Sequence, residues 1–278
     1  MKALLRISTL ILFCSVSFAQ EEAKINYGYN DAAGAYFEVA KETKLYYEVY
    51  GEGAPILMLH GGVYGYINEF EFFIKELSKN YRVICLGTRG HVKSDIGHEP
   101  FTYDQRAEDA KKLLVHLGIK KAAVIGFSDG GFSAFKLASN YPEFVEKIVV
   151  IGAGDSPEGS GVNYGYTEEK LMAEAGGYFK DRLEAMPEPE RWNESLQWLN
   201  SLYEQSVVST ETFKKISCPV LLMAGDEDQY SNPDSLLEAH NNIKESYLSI
   251  IPGCGHVVFY CNWEAVWASI KPFLNKQS

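Results

Sequence analysis

The chain of 278 residues lacks most of the features that mark membrane, nucleic-acid-binding and metal proteins. Beyond one N-terminal apolar segment, no stretch approaches the roughly 20 apolar residues that a membrane helix needs. The net charge is −11 and the acidic residues are scattered, which disfavours nucleic acid or an anionic membrane as a partner. Five cysteines occur without a Cys-x-x-Cys spacing, so they indicate no metal site. No internal repeat is present, and we expect no cofactor.

Residues 1–19 have the pattern of a secretory signal. Lys2 and Arg6 precede a short apolar run, and Ser17 to Ala19 resembles a small-x-small cleavage site. A lipoprotein signal at Cys14 is the alternative, although the bulky Phe13 stands before it. The sequence therefore predicts an exported protein, periplasmic or secreted, whose mature chain starts after Ala19 and has no membrane span.

Four cysteines remain after removal of the signal, and their pairing is open among three connectivities. Cys85 and Cys218 lie in or beside apolar runs, where buried free thiols are expected. Cys254 and Cys261 are close in sequence and can pair in a compartment that permits disulfides.

Apolar strand-like runs alternate with helical patterns through most of the chain, which predicts a mostly parallel, doubly wound α/β sheet with helices on both faces. A hairpin at the N-terminal end should add antiparallel strands, giving about eight in one domain over residues 20–278. The expected strands are 36–39, 45–50, 54–59, 81–86, 122–127, 146–153, 219–224 and 247–251. The expected helices are 68–79, 103–117, 131–140, 233–243 and 263–274, the first with Phe72, Phe73, Ile74 and Leu77 inward. Residues 156–217 show no convincing strand and are expected to form a helical lid.

Ser128 stands where an apolar strand runs straight into a helix. The spacing Gly126-x-Ser128-x-Gly130 matches a nucleophile elbow, a strained turn that exposes the serine hydroxyl above a sheet. The turn is too tight to accept a Cβ at either glycine. The sequence therefore predicts Ser128 as a nucleophile, and a serine hydroxyl needs a histidine to take its proton.

His256 is the candidate base among six histidines, because it follows a strand and hangs from a glycine-rich loop before the last helix. We expect His91, His98, His116 and His240 to lie at the surface and His60 to fix its loop by hydrogen bonds.

The motifs together resemble the α/β-hydrolase fold family over the chain from about Tyr46 onward. They are the segments 60–62 (His-Gly-Gly), 89–91 (Arg-Gly-His), 126–131 (Gly-Phe-Ser-Asp-Gly-Gly), 225–228 (Gly-Asp-Glu-Asp) and 255–256 (Gly-His). The order Ser, Asp, His is the one that this fold uses. The resemblance assigns the acid of the triad to Asp228, leaves Asp226 as a turn residue and makes Asp155 the alternative acid.

The oxyanion hole needs two backbone N–H groups, which the resemblance assigns to Gly62 and Asp129. We expect the Asp129 side chain to point back into the start of its helix, where negative charge is favoured.

One segment departs from the family pattern. Relatives have Asp-x-Arg-Gly-x-Gly-x-Ser, whereas this chain has Gly87 in place of the aspartate and Val92 in place of the second glycine. The resemblance therefore does not define the geometry of this turn. A serine at 128 excludes the dehalogenases and epoxide hydrolases of this fold, which carry aspartate there.

The resemblance to the biphenyl-hydrolase-like and valacyclovirase branch predicts a carboxylesterase-like enzyme that acts on a small-molecule ester. An aminopeptidase, amidase or lactonase using the same triad stays open, as does a non-catalytic binding protein of the same fold. The sequence leaves the oligomeric state and the acyl and leaving groups undetermined.

Overall fold

Eight strands lie in one sheet, and the computed structural model describes residues 25–276 of the chain. The predicted signal at 1–19 lies outside the described residues. The strands are β1 (Gly34–Ala40), β2 (Thr43–Tyr50), β3 (Ala54–Leu59), β4 (Tyr81–Leu86), β5 (Ala122–Phe127), β6 (Val145–Ile151), β7 (Val220–Gly225) and β8 (Ser246–Ile251). Their order is β1-β2-β4-β3-β5-β6-β7-β8. The pairs β1–β2 and β2–β4 are antiparallel and the rest are parallel, which confirms the predicted sheet and hairpin.

Helices cover both faces of this sheet. They are α1 (Glu71–Leu77), α2 (Tyr103–His116), α3 (Asp129–Asn140), α4 (Glu168–Ala185), α5 (Trp192–Gln205), α6 (Thr210–Phe213), α7 (Pro233–Asn242), α8 (Val258–Cys261) and α9 (Trp263–Asn275). All six residues of β5 are buried, and its side chains alternate between the two cores, with Val124 in one and Ile125 in the other. Among residues 25–276, no helix has both the length and the apolar character that crossing a bilayer requires.

The first helix is shorter than predicted, and one of its side chains faces outward. A 3₁₀ turn at Ile67–Phe70 precedes α1, and Phe72 is 39% exposed whereas Phe73 and Ile74 are buried. The prediction that Phe72 points inward is wrong, because a helix of seven residues buries one face only. Phe72 instead stacks on the Trp263 ring at 5.6 Å.

The segment between β6 and β7, where the sequence predicts a helical lid, is largely helical. It contains α4, α5 and α6, and its only described ladder contact is a bridge between Ser156 and Val208. Helix α4 is interrupted at Ala175, whose φ of −147° and ψ of 46° are not helical. The insertion begins directly after β6, whose neighbour β5 leads into Ser128, so it lies beside the elbow.

Candidate active site

Ser128 lies on the sharp turn between β5 and α3. Its φ of 51° and ψ of −116° are unusual for a residue other than glycine, which is the backbone strain that the elbow predicts. A Cβ on Gly126 would overlap the Gly130 carbonyl oxygen, and one on Gly130 would overlap that of Leu59. Glycine at both positions is therefore a steric requirement of this turn.

His256 and Asp228 complete a hydrogen-bonded chain with Ser128. His256 Nε2 lies 2.9 Å from Ser128 Oγ, and His256 Nδ1 lies 2.8 Å from Asp228 Oδ2. The other carboxylate oxygen of Asp228 accepts the backbone N–H groups of Tyr230 and Ser231, both at 2.9 Å. Since a carboxylate only accepts, Nδ1 carries the proton that points to Asp228, and Nε2 is left free to accept the Ser128 hydroxyl proton. The structure thus brings together the three residues that the sequence singled out.

Asp155, the alternative acid, makes no hydrogen bond with His256. Its backbone N–H donates to the Ser235 carbonyl at 2.8 Å, and its buried Oδ1 has no partner among the described residues. Burial raises the pKa of Asp155 above its usual value. The position that faces His256 is therefore occupied by Asp228.

The loop after β3 carries Gly62 to the same cavity as Ser128 and Asp129. A Cβ on Gly62 would overlap the Tyr203 hydroxyl and lie 3.0 Å from Asp129 Oδ2, so only glycine fits there. Helix α4 holds the loop from above, because Arg182 Nη1 donates to the Gly65 carbonyl at 2.8 Å. The two residues assigned to the oxyanion hole are thus neighbours beside the serine.

The Asp129 side chain does not point back into its helix, so that expectation is wrong. Its buried carboxylate accepts from Arg106 Nη1 at 2.8 Å, from the Tyr203 hydroxyl at 3.0 Å and from the Tyr103 hydroxyl at 3.3 Å. Burial raises the pKa of Tyr203 well above its usual value, so this phenol stays protonated and donates. An ion pair between positions 23 residues apart outweighs the weak attraction of a helix terminus.

His91 is a second correction, because it is buried and not at the surface. Its ring packs on that of His60 at 4.7 Å, and its Nε2 lies 3.3 Å from the Gly62 carbonyl oxygen. Burial lowers the pKa of His91 to about 3, so the ring is neutral. His240 is half-buried, with Nδ1 2.8 Å from Ser246 Oγ, whereas His98 and His116 are exposed as expected.

His60 has the structural role that the sequence indicates. Its Nδ1 lies 2.8 Å from the Gly61 carbonyl oxygen, and its Nε2 accepts the Thr88 backbone N–H at 3.0 Å. The ring therefore ties the loop after β3 to the turn after β4. At the position of the second glycine of the family pattern, Val92 has a positive φ of 49°, a backbone conformation that favours glycine.

A disulfide closes the loop that carries His256. Cys254 pairs with Cys261, while Cys85 and Cys218 are buried free thiols, so the structure selects one of the sequence alternatives for all four. Asp226 acts as a turn residue, since its Oδ1 accepts the Cys254 N–H at 3.3 Å. The disulfide closes the His256 loop on itself, and this hydrogen bond joins it to the loop of Asp228.

Ser128 and His256 line a cavity of about 650 Å³ whose walls are largely aromatic. Eight tyrosines line it, several of them from the insertion: Tyr64, Tyr103, Tyr164, Tyr166, Tyr178, Tyr203, Tyr230 and Tyr260. Its carboxyl groups are Glu69 and Asp129, and none of the described lining residues is Lys or Arg. Within residues 25–276 no group of His, Cys, Asp or Glu side chains is placed to bind a metal ion.

Three contacts of this site have no short-range sequence signal. Arg106 meets Asp129 from α2, Tyr203 reaches Asp129 from α5, and Glu69 lies beside Gly61. The glycines of the elbow and of the loop after β3 are the sequence features that indicate where Arg106, Tyr203 and Glu69 come together.

Comparison with known proteins places these features in a family. The sequence pattern of the family described as alpha/beta hydrolase fold matches residues 54–190. The chain is 28% identical over 273 residues to the AB hydrolase superfamily protein YisY of Bacillus subtilis, covering 87% of this chain and 99% of that one. It is 26% identical to the human serine hydrolase BPHL over 77% of each chain.

Solved structures agree with the sequence comparison. An esterase from Exiguobacterium antarcticum superposes with a TM-score of 0.69 at 25% identity, covering 87% of this chain and all of that one. The family pattern spans the elbow and the loop after β3, and the sheet order and the Ser, Asp, His order are those of the same fold. The chain therefore belongs to the α/β-hydrolase fold family.

Proposed function

We propose that this protein is a serine hydrolase that cleaves a small carboxylic ester through an acyl-enzyme. The observation that carries the proposal is the chain Ser128 Oγ, His256 Nε2, Nδ1 and Asp228 Oδ2, with both hydrogen bonds under 3 Å, at the wall of the large cavity. The named esterase among similar structures favours an ester over an amide.

In the proposed reaction, Ser128 Oγ attacks the ester carbonyl while His256 Nε2 takes the hydroxyl proton. Asp228 holds the Nδ1 proton and stabilises the imidazolium that forms. The N–H groups of Gly62 and Asp129 bind the developing oxyanion, and one such donor is worth about 3 kcal/mol. His256 then protonates the leaving alcohol, and water activated by the same ring releases the acid and restores Ser128.

The test is a panel of small esters, lactones and aminoacyl amides with wild type and Ser128→Ala. We expect turnover of at least one ester, and a fall of at least about 10⁴-fold in kcat for Ser128→Ala. Ser206→Ala is the matched control, because Ser206 lines the same cavity and its side chain makes no hydrogen bond with described residues. Turnover by Ser128→Ala within tenfold of wild type would show that another group is the nucleophile.

We also propose that the protein is exported. The support is the signal-like pattern of residues 1–19 together with the Cys254–Cys261 disulfide, since disulfides persist in oxidising compartments. N-terminal mass spectrometry of the protein recovered from its producing cells should give a mature chain that starts near Gln20. An intact Met1 on cytoplasmic protein would contradict the proposal.

A further inference from the structure

Glu69 is a carboxyl group in the cavity that the proposed reaction does not use. It lies in the 3₁₀ turn before α1, and its Oε1 accepts the Gly61 backbone N–H at 2.7 Å. The other cavity carboxyl, Asp129, is neutralised by Arg106. Among the described residues, by contrast, no cation lies within 4.0 Å of Glu69, so its charge would have no direct partner.

The second oxygen of Glu69 is the free one. Oε2 lies 3.5 Å from the position that a Cβ on Gly61 would take. No described residue donates a hydrogen bond to it or accepts one from it, although the side chain is half-buried. Glu69 lines the cavity, so a molecule bound there can supply the hydrogen-bond partner of this oxygen.

The protonation state follows from burial, which raises the pKa of Glu69 to about 8. The Gly61 N–H and the Arg182 guanidinium oppose this rise, and the Asp129 carboxylate adds to it. The carboxyl is therefore mainly neutral at pH 7. Because Oε1 already accepts an N–H, the proton belongs on Oε2, which makes Oε2 a donor toward the cavity.

The residues that line the cavity limit which substrate groups can accept a hydrogen bond from Oε2. A substrate carrying a carboxylate would find no Lys or Arg among the described lining residues, and burying an unpaired charge is costly. An uncharged ether or carbonyl oxygen accepts a hydrogen bond without that cost. The aromatic walls suit the apolar remainder of such a molecule.

We propose that Glu69 determines specificity by donating a hydrogen bond from Oε2 to an uncharged oxygen of the substrate, so that the enzyme selects neutral esters with a second oxygen near the scissile bond. This inference rests on the proposed ester hydrolysis. The selected oxygen belongs either to the acyl part or to the alcohol part, and both are tested.

The experiment uses two pairs of esters in which an ether oxygen replaces a methylene group. The acyl pair is phenyl 3-methoxypropanoate and phenyl pentanoate, and the alcohol pair is 2-methoxyethyl benzoate and butyl benzoate. At pH 7 we expect wild type to prefer the ether ester of one pair by about tenfold in kcat/KM, the size of one hydrogen bond. The ratio within a pair cancels the protonation of His256, which acts on both esters alike.

Two variants separate the donor from the charge. Glu69→Gln keeps an acceptor for Gly61 and an N–H₂ donor, so its preference should stay within threefold of wild type. Glu69→Leu removes both groups and should bring the ratio close to one. Raising the pH from 7 to 9.5 should abolish the preference of wild type, because Glu69 ionises, and leave that of Glu69→Gln unchanged.

The groups that face the carboxyl are the same in every variant: Arg182, Asp129, Tyr178 and Tyr260. The pH comparison of wild type with Glu69→Gln keeps the test valid where Glu69→Leu fails to fold. Equal turnover of both esters in both pairs by wild type overturns the role of Glu69 and leaves ester hydrolysis intact.

A third pair of esters decides between a neutral and a charged Glu69. The pair is 2-aminoethyl benzoate and propyl benzoate, which have the same number of heavy atoms. If wild type preferred the amino ester and Glu69→Gln lost that preference, Glu69 would act as a carboxylate. The proposal would then be wrong. No turnover of any ester by folded wild type overturns both this inference and the proposed function.

Discussion

Replacing Asp228 by asparagine should cripple the enzyme through the wrong histidine tautomer. Oδ1 of Asp228 accepts two backbone N–H groups at 2.9 Å, so the amide oxygen of the variant will take that place. Its N–H₂ group then faces His256 Nδ1 and forces this nitrogen to accept. The proton moves to Nε2, 2.9 Å from Ser128 Oγ, where the base must be free.

The expected loss follows from this exchange. A comparable replacement in a serine protease triad lowers kcat by about 10⁴, or about 5 kcal/mol of transition-state stabilisation. Asp155→Asn is the matched control, because Asp155 follows the neighbouring strand β6 and makes no hydrogen bond with His256. We expect that control to stay within about threefold of wild type, since one carboxyl outside the hydrogen-bonded chain contributes little to catalysis.

The assay is kcat and KM on the best ester of the panel, with circular dichroism to show that each variant is folded. Asp228→Asn within tenfold of wild type, or a larger loss in Asp155→Asn, would refute the assignment of the acid and the tautomer argument with it.

Three further predictions concern the scaffold of the fold. Gly130→Ala should lower the free energy of unfolding by more than about 4 kcal/mol, because the added Cβ would overlap a carbonyl oxygen. The control Gly177→Ala, where nothing lies near the added Cβ, should be neutral or stabilising by up to about 1 kcal/mol. Thermal melts test this pair, and equal Tm values would contradict the prediction. The double variant Cys254→Ala, Cys261→Ala should lower the free energy of unfolding by about 2 kcal/mol, because the disulfide closes a short loop. It should also lower kcat, because the loop that carries His256 becomes less constrained. An unchanged kcat would show that this loop is held in place without the disulfide. Glu48→Gln should lower the free energy of unfolding by about 3 kcal/mol, because each oxygen of this buried carboxylate accepts a backbone N–H, and one of these would face the N–H₂ group of the amide. A loss below about 1 kcal/mol in urea unfolding would refute that reasoning.

The strands and the elbow are predictable from sequence because their signals are local. Residues 54–59 and 122–127 are continuous apolar runs, and 81–86 is interrupted by Arg82 alone. The observed β3, β4 and β5 have the same bounds. The glycines of the elbow follow from the backbone reversal itself. His256 follows from its position after a strand, because the carboxyl ends of parallel strands meet at one edge of the sheet. The same argument leaves both Asp226 and Asp228 as candidate acids, and the family resemblance is what selects Asp228.

The remaining features depend on contacts between distant segments. Periodicity counts Phe72 with its apolar neighbours, but Phe259 and Trp263 from the C-terminal helices pack against Phe73, and Phe72 stays 39% exposed. His91 is buried because the turn after β4 folds under the Gly62 loop. Asp129 pairs with Arg106 across two helices, and no local pattern encodes that distance. The chemistry of Glu69 likewise arises only when the loop of Gly61 closes over it.

The most direct test of the central claim, that Ser128 is an activated nucleophile, is covalent labelling mapped to a residue. A fluorophosphonate probe should modify folded wild type at Ser128, identified by mass spectrometry of the peptide that carries it. Asp228→Asn should react much more slowly, and Ser128→Ala not at all, while both remain folded. An adduct at another residue, or no adduct on folded wild type, would contradict the account.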